Sequence, residues 1–503
     1  MSSDGRMAGA AAAAAALGSG WLVATVLEVP TPVGAVGTAV IDSAPFGIRE
    51  WAIRTLGTYD KPALTIGIVV ILVLVAGWAQ SSMASHPGMV AVAVAGLSSV
   101  GAWAAWASDG WAGVVPSVVA GLVGFASLWS LSRTELPPSP TPEMAAVALD
   151  RRVFLRRAAT VGAVGVGTGG VALVVDQAKG SRFDTAIAEV SLPRPAGPPL
   201  LAPAGVDAGR GVEPWLTPAD RFYRIDTALT VPRVDLAGWR LSVGGMVERP
   251  TEFTFEELLA LGVVERHVTL CCVSNEVGGP YVGNARWSGV PLSRVLDLVG
   301  VDERADQLAS ESEDGWTCGF PTAIARDGRD ALLAVGMNGE PLPADHGFPV
   351  RLVVPGLYGY VSATKWLRTI TLTTFADFEG YWIPRGWAAE APVKTQSRID
   401  VPAAGAGVER GQIVIAGVAW AQHRGIEGVE VRIDDGPWQP ANLATDGGVD
   451  AWRQWWFSWD APEGSHELSV RATDGAGDVQ TAQRTPPAPD GATGHHRVTV
   501  DVR

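Results

Sequence analysis

Two adjacent cysteines, Cys271 and Cys272, stand at the end of the apolar run Val268–Cys272, and they are two of only three in a chain of 503 residues. A thiolate is a soft donor suited to a redox-active transition metal. The run reads as β-strand, and neighbouring side chains on a strand point to opposite faces. One sulfur can therefore enter the core while the other meets whatever fills the adjacent cleft. Both can equally be small buried hydrophobes, the ordinary role of a free cysteine. A Gly/Asn-rich loop follows, closed by Asn284-Ala285-Arg286-Trp287.

A second stretch concentrates polar residues among turn formers. Met337-Asn338-Gly339-Glu340-Pro341-Leu342-Pro343 continues through Asp345-His346-Gly347-Phe348-Pro349-Val350-Arg351 to Val354-Pro355-Gly356. The Gly and Pro spacing demands sharp, fixed turns, and by itself predicts two turns and a buried strand. Taken together, the two stretches resemble the sulfite oxidase family of molybdopterin enzymes. That family places a single cysteine after V-T-L-x and an Asn three residues on. Cys272 and Asn275 fill those places, and the family's N-A-R-W follows as Asn284–Trp287.

The resemblance implies that Cys272 supplies the thiolate ligand to molybdenum and that His346 and Arg351 grip the pterin and its phosphate. An imidazole and a permanently charged, planar guanidinium suit such an anionic, heteroatom-rich group. Thr364 and Lys365, within Ser362-Ala363-Thr364-Lys365-Trp366, are further cofactor-binding candidates. Tyr223, Arg224 and Thr227 occupy an upstream segment the family also uses, and Ser312 lies in a more divergent one. The implied cofactor is the molybdenum–molybdopterin group. The implied chemistry is two-electron oxygen-atom transfer at a molybdenum-oxo centre, with electrons passed singly to or from a separate carrier.

Departures from the family pattern bear on substrate. Sulfite-oxidising members surround the oxyanion with arginines and a tyrosine. Here Ile225 takes the arginine place of F-Y-x-R, with Arg224 displaced by one residue. Glu276 and Val277 stand where arginines would, and the tyrosine position holds Trp387. Arg453, within Ala451-Trp452-Arg453-Gln454-Trp455, alone matches a family arginine near the substrate. Removing cations and adding a carboxylate weakens attraction for a doubly charged anion, so a neutral or bulkier substrate is expected, lined by Trp387 and Arg453.

The elements that must position these residues follow from composition. A hydrophobic content of 47% beside a formal charge of -14 predicts an apolar membrane part joined to an acidic soluble part. That acidity argues against nucleic acid, whose phosphates need a basic footprint. Ala8–Leu27, Pro62–Ala79, His86–Trp106 and Trp111–Leu131 each approach the ~20 residues that cross a bilayer. Tryptophans 21, 78, 103, 106, 111 and 129 cluster toward their ends, as interfacial anchors do. The connection Thr31–Asp60 has room for a short interfacial or half-inserted helix. Of seven histidines only His86 borders a span and no C-x-x-C-H is present, so no haem is expected.

After a proline-rich linker, Leu136–Pro142, comes Asp150-Arg151-Arg152-Val153-Phe154-Leu155-Arg156 and the apolar Ala158–Val175. Paired arginines before a modestly hydrophobic segment resemble a twin-arginine export signal. With Arg133 and Arg151–Arg157 inside, five spans put everything after Lys179 outside. The cationic Thr31–Lys61 connection would then face outside too, against the positive-inside rule.

The expected architecture is multi-domain. A transmembrane α-helical region with about four spans covers 1–135, and linker plus signal anchor 136–180. A linker spans 181–214, with a proline-rich surface segment at Leu192–Pro203. An α+β molybdopterin-binding domain of sulfite oxidase fold covers 215–390. An immunoglobulin-like β-sandwich covers 391–503; Gln412–Trp420, Val429–Ile433, Trp455–Trp459, Glu467–Ala472 and His496–Val502 read as strands, with a tight turn at Asp435-Gly436. This last part resembles the family's dimerisation domain, which implies a homodimer. Three functions compete: a membrane-anchored, extracytoplasmic molybdenum oxidoreductase acting on a small molecule, a true sulfite oxidase, and a non-catalytic anchored adhesion module.

Overall fold

The computed structural model describes residues 3–56, 59–133, 144–196, 200–209 and 211–503. The proline-rich linker Leu136–Pro142 lies outside them. The chain forms two compact units, Met1–Phe183 with Thr227–Val231, and Asp184–Asp226 with Pro232–Arg503.

The first unit is helical. Helices α1 (Ser3–Leu27), α2 (Pro32–Ser43), α3 (Phe46–Leu56), α4 (Asp60–Met83), α5 (Pro87–Ser132) and α6 (Met144–Ala188) follow in order. Two short helices, α2 and α3, thus fill the connection where one was expected. Thr31 caps α2, its hydroxyl accepting the Gly34 N–H at 3.0 Å, and Pro32 supplies the preset φ of a first turn. Gly110, at φ 55°, divides α5 into two helices joined by a tight reversal. Five segments, Gly5–Leu27, Asp60–Met83, Pro87–Trp106, Asp109–Ser132 and Arg152–Ala188, are long and apolar enough to cross a membrane.

Small residues set the packing of these helices. A Cβ on Gly9 would lie 2.5 Å from the Gly77 Cα, and one on Gly18 would overlap the Gly165 carbonyl oxygen. Such glycines let helix backbones approach closely. Phe154, from the Arg-Arg segment, is buried with Ala8, Leu131 and Ala158. Lys61 Nζ donates to the Ala228 carbonyl at 2.7 Å, holding the Thr227–Val231 segment within this unit. The helix that begins at Met144 runs on to Ala188, so the expected linker from 181 starts as helix.

The second unit opens with irregular chain. The described part of the linker Leu192–Pro203 is mostly exposed and is tied down at two points, Ala196 N–H donating to Val263 O and Leu200 N–H to Glu265. Two sheets then build the α+β part. One orders Thr251–Phe253, Leu241–Gly245, Leu367–Thr373, Gln307–Ser312 and Thr317–Pro321. The other orders Val264–Cys271, Val282–Pro291, Leu332–Met337 and Glu340–Pro341, with Arg351–Val353 also on Leu332–Met337. Helix Phe255–Ala260 starts with a capping box between Thr254 and Glu257, as the Glu256-Glu257 pair suggests.

From Gln396 onward two further sheets face each other. Gln396–Val401, Gly411–Trp420, Arg453–Ala461 and Asn442–Leu443 form one; Gly407–Val408, His496–Val502, Gly464–Asp474, Ile426–Ile433 and Gln439–Pro440 form the other. Ile415, Trp455, Val431, Leu468, Val470 and Val500, drawn from both sheets, share one core. The five strands expected from alternation are all present. Asp434 closes a turn, its carboxylate accepting from Glu467 N–H and meeting His466 Nδ1, each at 2.8 Å.

Candidate active site

Phe222 is where the motifs meet. Its ring stands edge-on to Trp287 at 5.8 Å and to His346 at 5.7 Å, and a Cβ on Gly283 would lie 2.8 Å from it. The guanidinium of Arg351 lies 5.1 Å from the Trp287 ring centre. Tyr223, next in the chain, senses Cys272, Cys271 and Arg351 together; burial first, then the two sulfurs, hold its phenol well above the usual range. Four stretches distant in sequence thus converge around Tyr223.

On one side of Tyr223 lies a group of cations, of which Arg351 and Lys365 are buried. Arg351 is 6% exposed and donates to the His346 carbonyl at 3.1 Å, the Leu352 carbonyl at 3.4 Å and the Ala363 carbonyl at 3.5 Å. Among the described residues it forms no ion pair, and burial lowers its pKa to about 10. Lys365 Nζ meets the Asp226 carboxylate at 2.5 Å and donates to the Asp345 carbonyl at 3.1 Å. Burial, opposed by Asp226, brings its pKa down to about 8. Arg224 shares the same carboxylate at 2.9 Å. His346 is buried, its Nε2 lying 2.7 Å from the Ala219 carbonyl, and burial lowers its pKa.

On the other side lies the thiol. Cys272 is 8% exposed against 2% for Cys271. Its sulfur lies 2.9 Å from Ser274 Oγ, and its N–H donates to the Tyr281 carbonyl at 3.0 Å, closing a ten-residue loop. Burial raises its pKa, with Ser274 opposing. Asn275 fastens the loop: its Oδ1 accepts the Tyr281 N–H at 2.8 Å, and its own N–H donates to the Cys272 carbonyl at 3.1 Å. Cys271, with the pKa raised further by burial, has Trp420 and Asn275 beside it. Trp387 rests on Tyr360 at 5.6 Å and on Trp382 at 6.5 Å. Tyr360 belongs to the short helix Gly359–Ser362, and a Cβ on Gly359 would lie 4.0 Å from the Cys271 carbonyl oxygen.

Three candidates sit differently. Thr364 turns its hydroxyl to Ser310 at 2.7 Å and Cys318 at 3.1 Å, forming a buried polar triad. Arg453 donates to the Ala444 and Ile426 carbonyls at 3.0 and 2.9 Å, both within the C-terminal sandwich. Thr227 opens the segment grouped with the helices. Sequence reading missed Asp226, the carboxylate shared by Lys365 and Arg224, and Ser274 at the thiol. Their signal was proximity alone: each lies two residues from a residue already singled out.

These residues fit an anionic cofactor that brings its own metal donors. Arg351 is a buried cation facing neutral carbonyls, an arrangement costly without an anion. The Ser312 hydroxyl is buried with no hydrogen-bond partner among the described residues. No cluster of three or more His, Cys, Asp or Glu side chains there could hold a bare ion.

Comparison with known proteins agrees. Residues 228–382 match the family described as oxidoreductase molybdopterin binding domain. The chain is 31% identical over 319 residues to mitochondrial sulfite oxidase of Homo sapiens, covering 53% of this chain and 58% of that protein. It therefore spans little more than half the length of that relative. Sulfite oxidase of Gallus gallus is 30% identical over 318 residues, covering 53% of this chain and 68% of its own length. Sulfane dehydrogenase SoxCD of Paracoccus pantotrophus shares the fold, with a TM-score of 0.50 at 23% identity over 64% of this chain and 90% of that one. Motifs, geometry and relatives together make this chain a member of the sulfite oxidase family of molybdopterin-binding oxidoreductases.

Proposed function

We propose that the chain is a membrane-anchored, extracytoplasmic oxidoreductase in which Cys272 ligates the molybdenum of a molybdopterin cofactor. The observation that carries this is the pairing, around Tyr223, of a nearly buried thiol with an uncompensated buried guanidinium. When bound, the cofactor supplies two-electron oxygen-atom transfer and hands electrons singly to a separate carrier. Arg351 and Lys365 would bind its phosphate, His346 and Ser312 would hydrogen-bond its heteroatoms, and Ser274 would orient the thiolate. Asn275 would keep the ligand loop closed. Tyr223 would line the cofactor, and Trp387 with Tyr360 would face an uncharged substrate.

The five apolar helices support membrane anchoring. Arg151 and Arg152, followed by Phe154 and Leu155, support export through a twin-arginine route, fitting an enzyme that is loaded before it crosses. The sandwich reads as immunoglobulin-like and as the dimerisation domain. A second reading, sulfite oxidation, is favoured by the names of the matched relatives.

The two readings separate in a steady-state assay of the full chain in detergent, with an artificial electron carrier. Each close cation missing from the pocket removes roughly 1–4 kcal/mol of attraction for a doubly charged anion, or about one to three decades of affinity. Sulfite should therefore show a high KM, while neutral sulfoxides or N-oxides turn over. Tight, efficient sulfite turnover would instead restore the sulfite oxidase reading.

A further inference from the structure

Beyond dimerisation, we infer that the C-terminal sandwich is a positioning element of the active site, with His496 fixing the loop that carries the metal-binding thiol. This rests on Cys272 being the ligand. Strand Val264–Cys271 is the outermost of its sheet, and sandwich residues occupy its open edge. Thr269 N–H donates to the Asp450 carbonyl at 2.9 Å, Gln422 Nε2 donates to the Thr269 carbonyl at 2.8 Å, and Trp452 N–H donates to Thr269 Oγ1 at 2.7 Å. At Thr269 both backbone groups on the open edge are thus satisfied, which opposes slipping of the strand there.

The loop beyond Cys272 is seized at its tip. Gly278 sits at φ 81°, and a Cβ there would fall 2.1 Å from the Cδ2 and 2.2 Å from the Nε2 of His496. The imidazole face therefore occupies the space a side chain would need. His496 Nδ1 accepts the Ile399 N–H at 3.0 Å, which fixes the ring and puts its proton on Nε2, at the loop. One residue on, Arg398 Nη1 donates to the Gly279 carbonyl at 3.1 Å, itself held by Asp400 at 2.6 Å. The chain from Cys272 to Tyr281 is thus closed at its base by its own hydrogen bonds and held at its tip by sandwich side chains. His495, by contrast, turns back into the sandwich, to the Gln480 carbonyl at 3.0 Å and Trp438 at 5.2 Å. His496 is a positioning residue: it acts through Gly278 on the thiol.

The test uses the full chain in detergent, prepared with cofactor and, from a host lacking molybdopterin synthesis, without it. His496→Asn keeps an acceptor for Ile399 N–H but withdraws the ring from Gly278; His495→Asn is the control. In cofactor-free protein, alkylation of each cysteine by iodoacetamide is followed by peptide mass spectrometry. His496→Asn should raise the Cys272 rate about tenfold through local opening of the loop, with Cys271 and Cys318 unchanged and His495→Asn silent. In loaded protein it should shift the Mo(V) electron-spin-resonance spectrum. Gly278→Ala, whose methyl meets the ring, should do the same if His496→Asn fails to fold. A folded His496→Asn with wild-type Cys272 reactivity and spectrum overturns the inference, as does an equal rise at all three cysteines. The ligand reading fails separately, if loading wild-type protein with cofactor leaves Cys272 unprotected.

Discussion

The two sides of Tyr223 differ in charge. On one, Lys365 and Arg224 share the carboxylate of Asp226, and Arg351 is left with neutral partners. On the other, Cys272 is bordered by Ser274 and Asn275, and Trp387 meets Tyr360 at a tilt and Trp382 edge-on. Buried cations are costly, so they persist where a permanent anion neutralises them. The cationic side is thus organised for a resident anionic group, whereas Arg398, the cation that meets the thiol-bearing loop, is already paired with Asp400.

Breaking each side should have distinct consequences. The largest effect belongs to the thiol: Cys272→Ser should abolish turnover while Cys271→Ser leaves most of it. A serine alkoxide is a harder donor that changes both geometry and potential of the metal, whereas Cys271 is buried, 2% exposed, with its sulfur against the Cys272 carbonyl. Equal losses in two folded variants would contradict this side of the comparison.

On the cationic side, Arg351→Met should cut cofactor retained after purification by about 10–100-fold, the usual cost of losing a supporting contact in a metal site. Protein folding should survive, since the substitution removes an uncompensated buried charge. Cofactor content per chain is the measurement, and wild-type loading would place the anion elsewhere.

A smaller effect concerns pH. Lys365 has its pKa lowered from 10.5 to about 8, chiefly by burial. Below about pH 8 both folded and unfolded chains hold the proton, and the penalty of the buried charge is full. Between about pH 8 and 10.5 the unfolded chain binds more protons, so stability of the cofactor-free protein rises with pH, by roughly 3 kcal/mol in all. Melting curves across this window should show the rise in wild type and lose it in Lys365→Met. A parallel pair of profiles would mean that Lys365 titrates normally.

Much of this was legible before any coordinates. Long apolar runs announced the five candidate spans, because hydrocarbon thickness fixes helix length. Alternating residues from Gln412 to Val502 announced the strands of the sandwich. Residue types within specific motifs pointed to Cys272, His346, Arg351 and Lys365. Side-chain direction was another matter. Thr364 matched its motif place, yet its hydroxyl faces Ser310 and Cys318. Arg453 matched too, yet its guanidinium is spent on two sandwich carbonyls. Partnerships across long stretches of chain, such as Lys365 with Asp226 or His496 against Gly278, leave no local pattern to read.

The central claim is that one particular sulfur holds the metal. X-ray absorption at the molybdenum edge, on loaded wild type, Cys271→Ser and Cys272→Ser, tests it most directly by counting metal–sulfur bonds. The account predicts identical counts in wild type and Cys271→Ser, and one fewer sulfur in Cys272→Ser. An unchanged count in Cys272→Ser, or a sulfur lost from Cys271→Ser, would contradict it.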